Sequence, residues 1–70
     1  MTEVKAELVG SVWKVKTLVG AQVAEEDELL ILESMKMEIP VTAPRAGIVK
    51  EVRVRKGEVV KEGQVLVVLE

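Results

Sequence analysis

The chain has no cysteine and no histidine among its 70 residues. Disulfide bonds, thiolate nucleophiles and zinc sites built from these two residue types are therefore excluded, and so is a histidine general base. Tyrosine and phenylalanine are also absent, which leaves Trp13 as the only aromatic side chain. Without histidine, neither Ser11 nor Ser34 can belong to a Ser-His-Asp triad. A hydrolase that depends on such a triad is therefore excluded.

Long apolar runs are missing as well. No stretch approaches the length that spans a membrane, and the N-terminus lacks the charged-then-apolar pattern of a signal peptide. The formal net charge of −2 provides no general attraction to nucleic acid or to an anionic membrane. We therefore expect a cytoplasmic protein that binds neither.

Apolar residues make up 49% of the chain, and most of them are valine and leucine. A chain of this length forms one domain with a modest core, so residues 1–70 are interpreted as a single domain. The many valines favour β-structure. Met1 and the end of the chain directly after an apolar run favour a free-standing protein.

The chain contains an internal repeat, because residues 4–33 overlay residues 41–70 without a gap. The matches fall on apolar and glycine positions, as expected if both halves follow one backbone path. The matched pairs include Val4 with Val41, Gly10 with Gly47, Val12 with Val49, Gly20 with Gly57, Leu29 with Leu66, and Glu33 with Glu70.

The second copy predicts strands. Val52 and Val54 alternate with charged residues, which is typical of a half-buried strand. Turns are predicted at Lys56-Gly57 and at Glu62-Gly63, and the β-branched run 64–69 has the length of a further strand.

The first copy is ambiguous by itself, because residues 25–39 are rich in helix formers with apolar residues at helical spacing. The repeat places Leu29 to Glu33 in the same position as Leu66 to Glu70, so we predict a strand there. About eight short strands, paired into a flattened barrel or sandwich, follow from this reading. Glu26 aligns with Gly63, so either a turn that needs positive φ is strained at Glu26 or the turn has a different shape in the first copy.

Strands at 29–33 and 37–41 leave about three residues between them, which predicts a hairpin with Met35 and Lys36 at its tip. Tight hairpins usually carry asparagine and glycine at the tip, because the central residues take positive φ. Exposed methionines also add apolar surface without filling a core. A hairpin tip that keeps non-glycine residues at positive φ and exposes methionines, despite the energetic cost of each, indicates that a partner protein recognises this turn.

These motifs resemble the biotinyl/lipoyl attachment domain family. The resemblance rests on residues 33–49, ESMKMEIPVTAPRAGIV, and on the valine and glycine spacing from Val52 to Leu66. It covers nearly the whole chain and is close to the bacterial single-domain biotin/lipoyl attachment proteins. It implies an all-β fold: a flattened β-barrel, also called a barrel-sandwich hybrid or "hammerhead", of two four-stranded sheets with pseudo-two-fold symmetry.

The resemblance also implies a function. Lys36 would sit at the hairpin tip and receive biotin covalently from biotin protein ligase, and Glu33, Met35 and Met37 would be the ligase recognition residues. The protein would be a carrier rather than an enzyme, moving carboxyl groups between biotin carboxylase and carboxyltransferase subunits. We expect a monomer.

Two departures from the family pattern are visible. Ser34 stands where biotinyl domains often have alanine, which keeps lipoate attachment to Lys36 by a lipoyl ligase open. The chain also lacks the inserted "thumb" segment of some acetyl-CoA carboxylase carriers, which argues against that class. An unmodified interaction module on the same fold is the third alternative.

Two charged groups have simpler interpretations. Residues 25–28, EEDE, lack the ligand spacing and glycine of a calcium loop and are interpreted as a solvated turn, with a docking surface for a basic partner enzyme as the alternative. Arg53, Arg55 and Lys56 lack aromatic stacking partners for nucleic acid, so they are interpreted as the exposed face of a strand. No metal site is expected.

Overall fold

A computed structural model describes residues 1–70 as eight β-strands without a helix. The strands are β1 (Thr2–Lys5), β2 (Gly10–Val15), β3 (Gln22–Val23), β4 (Glu28–Ser34), β5 (Met37–Thr42), β6 (Gly47–Val52), β7 (Val59–Val60) and β8 (Val65–Leu69). No helix capable of crossing a membrane is present.

The strands form two antiparallel four-stranded sheets, in the orders β1-β8-β6-β3 and β5-β4-β2-β7. The core lies between them, because leucines and valines on the inner faces are removed from water there. The largest fully buried side chains are Leu29, Leu30, Leu32, Leu66, Leu69, Val12, Val49, Val60 and Val67. The predicted all-β sandwich of two four-stranded sheets is confirmed.

The two sheets are related by pseudo-two-fold symmetry that extends to strand register. Val12 pairs with Leu32 in one sheet, and Val49 pairs with Leu69 in the other. The register shifts fall at equivalent places, at Trp13 in β2 and at Lys50 in β6. The pairing of β2 with β4 in the first half is therefore repeated by β6 and β8 of the second half, in the other sheet.

The helical alternative for residues 25–39 is wrong. These residues form a turn, β4 and the start of β5, and β4 lies between β2 and β5 in its sheet. Leu30 and Leu32 reach the core from this strand, and Leu29 at a register shift does so as well. Burial across the sandwich outweighs the local helix preference, which amounts to less than about 0.7 kcal/mol per residue.

The strand predicted across Val52 and Val54 ends earlier than the alternation indicated. β6 stops at Val52, and Arg53, Arg55 and Lys56 lie in the connection to β7. Val54 is nevertheless buried, and the Arg53 amide donates to the Leu66 carbonyl at 2.8 Å. The basic residues are exposed, but on a connection rather than on a strand. The turns at Lys56-Gly57 and Glu62-Gly63 are confirmed.

The acidic run occupies a tight turn. The Asp27 amide donates to the Ala24 carbonyl at 3.1 Å, and the Ala24 amide donates to the Asp27 carboxylate at 2.8 Å. Glu26 has a φ of 72°, and the equivalent Gly63 has a φ of 85°. The strain predicted at Glu26 is confirmed.

Replacing Glu26 with glycine should therefore stabilise the domain. Left-handed backbone costs a residue with a side chain about 1–2 kcal/mol, and the extra freedom of glycine in the unfolded chain offsets about 0.4–1 kcal/mol of this. We expect a net gain of about 0.5–1 kcal/mol in the free energy of unfolding, measured by urea denaturation. Glu25→Gly, at a neighbouring position without positive φ, serves as the control and should destabilise. A lower midpoint for Glu26→Gly would contradict the strain argument.

Candidate functional site

A two-residue hairpin loop joins β4 to β5. Ser34 pairs with Met37, so only Met35 and Lys36 lie in the loop. Their φ angles are 51° and 65°, as a type I′ turn requires at both central positions. Neither residue is glycine or asparagine, so the turn carries strain of order 1–3 kcal/mol per residue. The predicted hairpin and its positive φ angles are confirmed.

Packing behind the tip holds this turn in place. The Ser34 hydroxyl donates to the Val9 carbonyl at 2.8 Å, which ties the end of β4 to the segment before β2. A side-chain carbon at Gly10 would lie 2.8 Å from the Glu33 carbonyl oxygen, so glycine allows β2 to approach β4 closely. Six residue pairs join β4 to β5, and the buried Leu30 and Leu32 anchor them. The tip is therefore a strained turn on a rigid base.

The side chains at the tip face water. Met35 is 89% exposed and Met37 is 59% exposed, so these methionines do not fill the core. Lys36 is exposed, and its amine forms no hydrogen bond or ion pair with the rest of the chain. The hairpin thus presents a free primary amine between two apolar side chains.

Two carboxylates stand behind the tip. Glu33 and Glu38 face each other directly across β4 and β5, both are exposed, and neither is in an ion pair. Like charges in directly opposed positions destabilise a sheet. Neither carboxylate is hydrogen-bonded to the Lys36 amine, so the chain presents this nucleophile without placing a base on it.

The structure brings the four residues singled out from the sequence to one end of the hairpin formed by β4, Met35-Lys36 and β5. Lys36 and Met35 form its turn, Met37 begins β5, and Glu33 lies near the end of β4. The sequence reading missed the Ser34–Val9 hydrogen bond, which joins residues far apart in the chain. It also missed the pairing of Glu38 with Glu33, although the predicted hairpin register contained that signal.

A family model described as "Biotin-requiring enzyme" matches residues 2–69, which is almost the entire chain. The chain belongs to this biotin/lipoyl attachment family. The resemblance inferred from the Met-Lys-Met motif is therefore confirmed, and the attachment domain has relatives of similar size. The "Biotin/lipoyl attachment protein" of Bacillus subtilis (strain 168) is 50% identical over 66 residues, which cover 94% of this chain and 90% of that protein.

Two further matches extend the comparison. The "Biotinylated protein TB7.3 homolog" of Mycobacterium leprae (strain TN) is 48% identical over 67 residues, covering 96% of this attachment domain and 94% of that protein. The crystal structure of the Kluyveromyces lactis urea carboxylase superposes with a TM-score of 0.93 at 30% identity. That match covers 99% of this chain but 6% of the carboxylase, so the likeness concerns one small region of a large protein.

Proposed function

We propose that this attachment domain, residues 1–70, is a biotin carrier in which the amine of Lys36 is joined to biotin by an amide bond. The observation that carries the proposal is an exposed, unpaired lysine at a strained two-residue turn, in a chain of the biotin/lipoyl family. The printed names of two relatives, one a biotin/lipoyl attachment protein and one a biotinylated protein, support the same role.

The chain is the substrate of this modification and not its catalyst. A lysine amine in water is almost entirely protonated near neutral pH, and no base lies on Lys36. A biotin protein ligase therefore has to remove the proton and position the amine. The neutral amine then attacks the acyl carbon of biotinyl-adenylate, the amide bond forms, and AMP leaves. Amide formation removes the positive charge of the lysine.

Once loaded, the domain acts as a tether. Bound biotin would supply the ring that carries a carboxyl group from a biotin carboxylase site to a carboxyltransferase site. The protein holds the attachment point on a rigid hairpin, so that the arm alone moves. Tethering raises the local concentration of the group to about the millimolar range for short flexible links. The likeness to a region of urea carboxylase supports carboxylase subunits as partners of a monomeric carrier.

Intact mass measurement tests the proposal. The domain is co-expressed either with a biotin protein ligase or with a lipoyl ligase, and the mass increment identifies the attached group. Biotin carriage predicts a single biotinyl increment. A lipoyl increment would favour the second candidate, a lipoyl carrier on the same lysine, for which Ser34 is the supporting residue. No increment with either ligase would indicate an unmodified interaction module.

The methionines should determine which ligase acts. We expect Met35→Asp combined with Met37→Ala to slow biotin ligation about tenfold, equivalent to about 1.4 kcal/mol of lost recognition. Both side chains are exposed, so the fold should persist. The measurement is the initial rate of biotin incorporation with purified ligase. Leu18→Asp combined with Val19→Ala, at exposed apolar residues of another loop, is the matched control. An unchanged rate for the tip variant would remove the role assigned to Met35 and Met37.

A further inference from the structure

The pseudo-symmetry provides an internal comparison between the outer faces of the two sheets. Ile31 on β4 and Val68 on β8 occupy equivalent positions, and each lies between inward-facing neighbours on its strand. Alternation along a strand directs both side chains outward. Val68 is nevertheless only 3% exposed, whereas Ile31 is partly exposed. The two faces are therefore covered differently.

Charged side chains cover the face around Val68. Arg53 donates to Glu51 at 2.7 Å, and Lys5 approaches Glu3 at 3.9 Å. The hydrogen bond to Glu51 raises the pKa of Arg53, and the charges of Glu51 and then Glu3 add to this effect. Lys50 also reaches the sulfur of Met1 at 3.0 Å. The aliphatic parts of these long side chains can cover an apolar neighbour while their charges stay in water.

Two of the equivalent positions around Ile31 carry apolar residues instead. Pro40 pairs with Ile31 where Glu3 pairs with Val68, and Trp13 lies at the register shift that Lys50 occupies in the other sheet. Trp13 is 42% exposed, and Pro40 is exposed. Lys14 pairs with Ile31 on the other side, where Glu51 pairs with Val68, and Lys16 is paired with Glu28 at 2.7 Å. We call Trp13, Ile31 and Pro40 the apolar row.

The apolar row adjoins the opposed carboxylates Glu33 and Glu38. Alternation on β4 places Glu33 on the same outer face as Ile31, one row nearer the tip. An unpaired like-charge pair is costly in the free domain, and a cation from a partner would relieve the repulsion. Tryptophan is enriched among the residues that dominate binding at interfaces. The face therefore suits a protein surface that offers apolar side chains beside arginine or lysine.

We infer that this face docks onto the biotin carboxylase component that loads the carrier, an inference that rests on the function proposed above. An enzyme that binds ATP and bicarbonate, which are both anions, concentrates positive charge at its site, and this charge complements Glu33 and Glu38. Ile31 is separated from Lys36 by about 16 Å of extended chain. An enzyme that binds the biotin at the end of its arm can therefore contact Ile31 at the same time. The row is too small for a stable dimer, which needs roughly 1,200 Å² or more, but it suits a transient contact.

The test replaces two residues of the proposed docking face with the residue types at the equivalent positions around Val68. Trp13→Lys with Pro40→Glu installs the residue types that Lys50 and Glu3 supply at equivalent positions, so the backbone should accept them. Fully biotinylated protein is titrated into purified biotin carboxylase from the source organism with ATP, Mg²⁺ and [¹⁴C]bicarbonate. We expect the KM for the carrier to rise about tenfold or more, with kcat and the rate of biotin ligation within about twofold of wild type.

Matched variants serve as controls, and sedimentation measures whether the wild-type domain forms dimers. Lys50→Trp, at the equivalent site on the covered face, should leave the KM unchanged, and Trp13→Lys alone covers the case in which the double variant unfolds. An unchanged KM in the biotinylated variants would overturn the docking inference and leave the proposed function intact. Slower biotin ligation would assign the face to the ligase, a defect only in the carboxyltransferase half-reaction would assign it to that subunit, and wild-type dimers that the variant dissociates would assign it to a second copy. Each of these three results also overturns the inference. A wild-type domain that takes up no biotin overturns the proposed function as well.

Discussion

Lys36→Arg should abolish biotin incorporation and leave the domain folded. The guanidinium group remains protonated at all ordinary pH values, so it offers no neutral amine to attack an activated acyl group. Arginine keeps the positive charge and the long flexible side chain, and Lys36 makes no hydrogen bond or ion pair that the substitution could remove. Intact mass after co-expression with the ligase should show complete loss of the biotinyl increment, and thermal unfolding should be unchanged.

The matched control for this substitution is Lys56→Arg. Lys56 is also exposed and also lies in a turn, but it precedes Gly57 on a different connection. We expect it to be biotinylated as fully as wild type. If the Lys36 variant keeps its increment, the attachment point is another lysine, and peptide mapping would identify it.

Leu66→Ala should have the largest effect on stability. Leu66 is 0% exposed in the core, and truncating a buried leucine costs about 2–5 kcal/mol because the cavity collapses only partly. A domain of 70 residues has a total stability of roughly 4–10 kcal/mol, so this one change removes a large share. We expect a marked fall in the urea midpoint of unfolding, measured from the circular dichroism signal of the β-strands.

The pseudo-symmetry provides a second variant whose loss of stability can be compared with that of Leu66→Ala. Leu29 is equivalent to Leu66 and is also 0% exposed, so Leu29→Ala should cost a similar amount, within about 1 kcal/mol. Leu18, which is 73% exposed, should tolerate alanine with a change within about 0.5 kcal/mol. Biotin incorporation should fall with the folded fraction, since the strained turn depends on the sandwich behind it. Equal midpoints for the Leu18 and Leu66 variants would contradict the assigned core.

The conformation of the hairpin tip could be predicted from short segments of the sequence. The short spacing between two predicted strands indicated a hairpin, and a hairpin that short requires positive φ at its centre, as Met35 and Lys36 have. Glu26 was similarly predicted from its alignment with Gly63. Both inferences needed only spacing and the internal match. The end of β6 at Val52 was misjudged because alternating burial continues to Val54 on a connection that no longer pairs as a strand.

The face around Ile31 shows where local sequence stops. Trp13 is remote in the chain from the hairpin that pairs Ile31 with Pro40, and it joins them only because β2 and β4 pair in one particular register. The hydrogen bond between Ser34 and Val9 and the approach of Gly10 to Glu33 depend on the same pairing. A shift of one residue would turn each of these side chains to the other side of its sheet.

The sequence by itself determined the strand content, the repeated halves and the exposed lysine, because these depend on residue type, spacing and turn conformation within short segments. For residues 28–34 the internal repeat predicted a strand, and the tertiary structure gives the physical reason, since burying Leu30 and Leu32 between two sheets outweighs a small local preference for helix. The tertiary structure decided which outer face has its apolar residue covered by charged side chains and which one exposes Trp13, Ile31 and Pro40. That difference depends on pairing between distant strands, which burial of both inner faces sets for the whole domain at once.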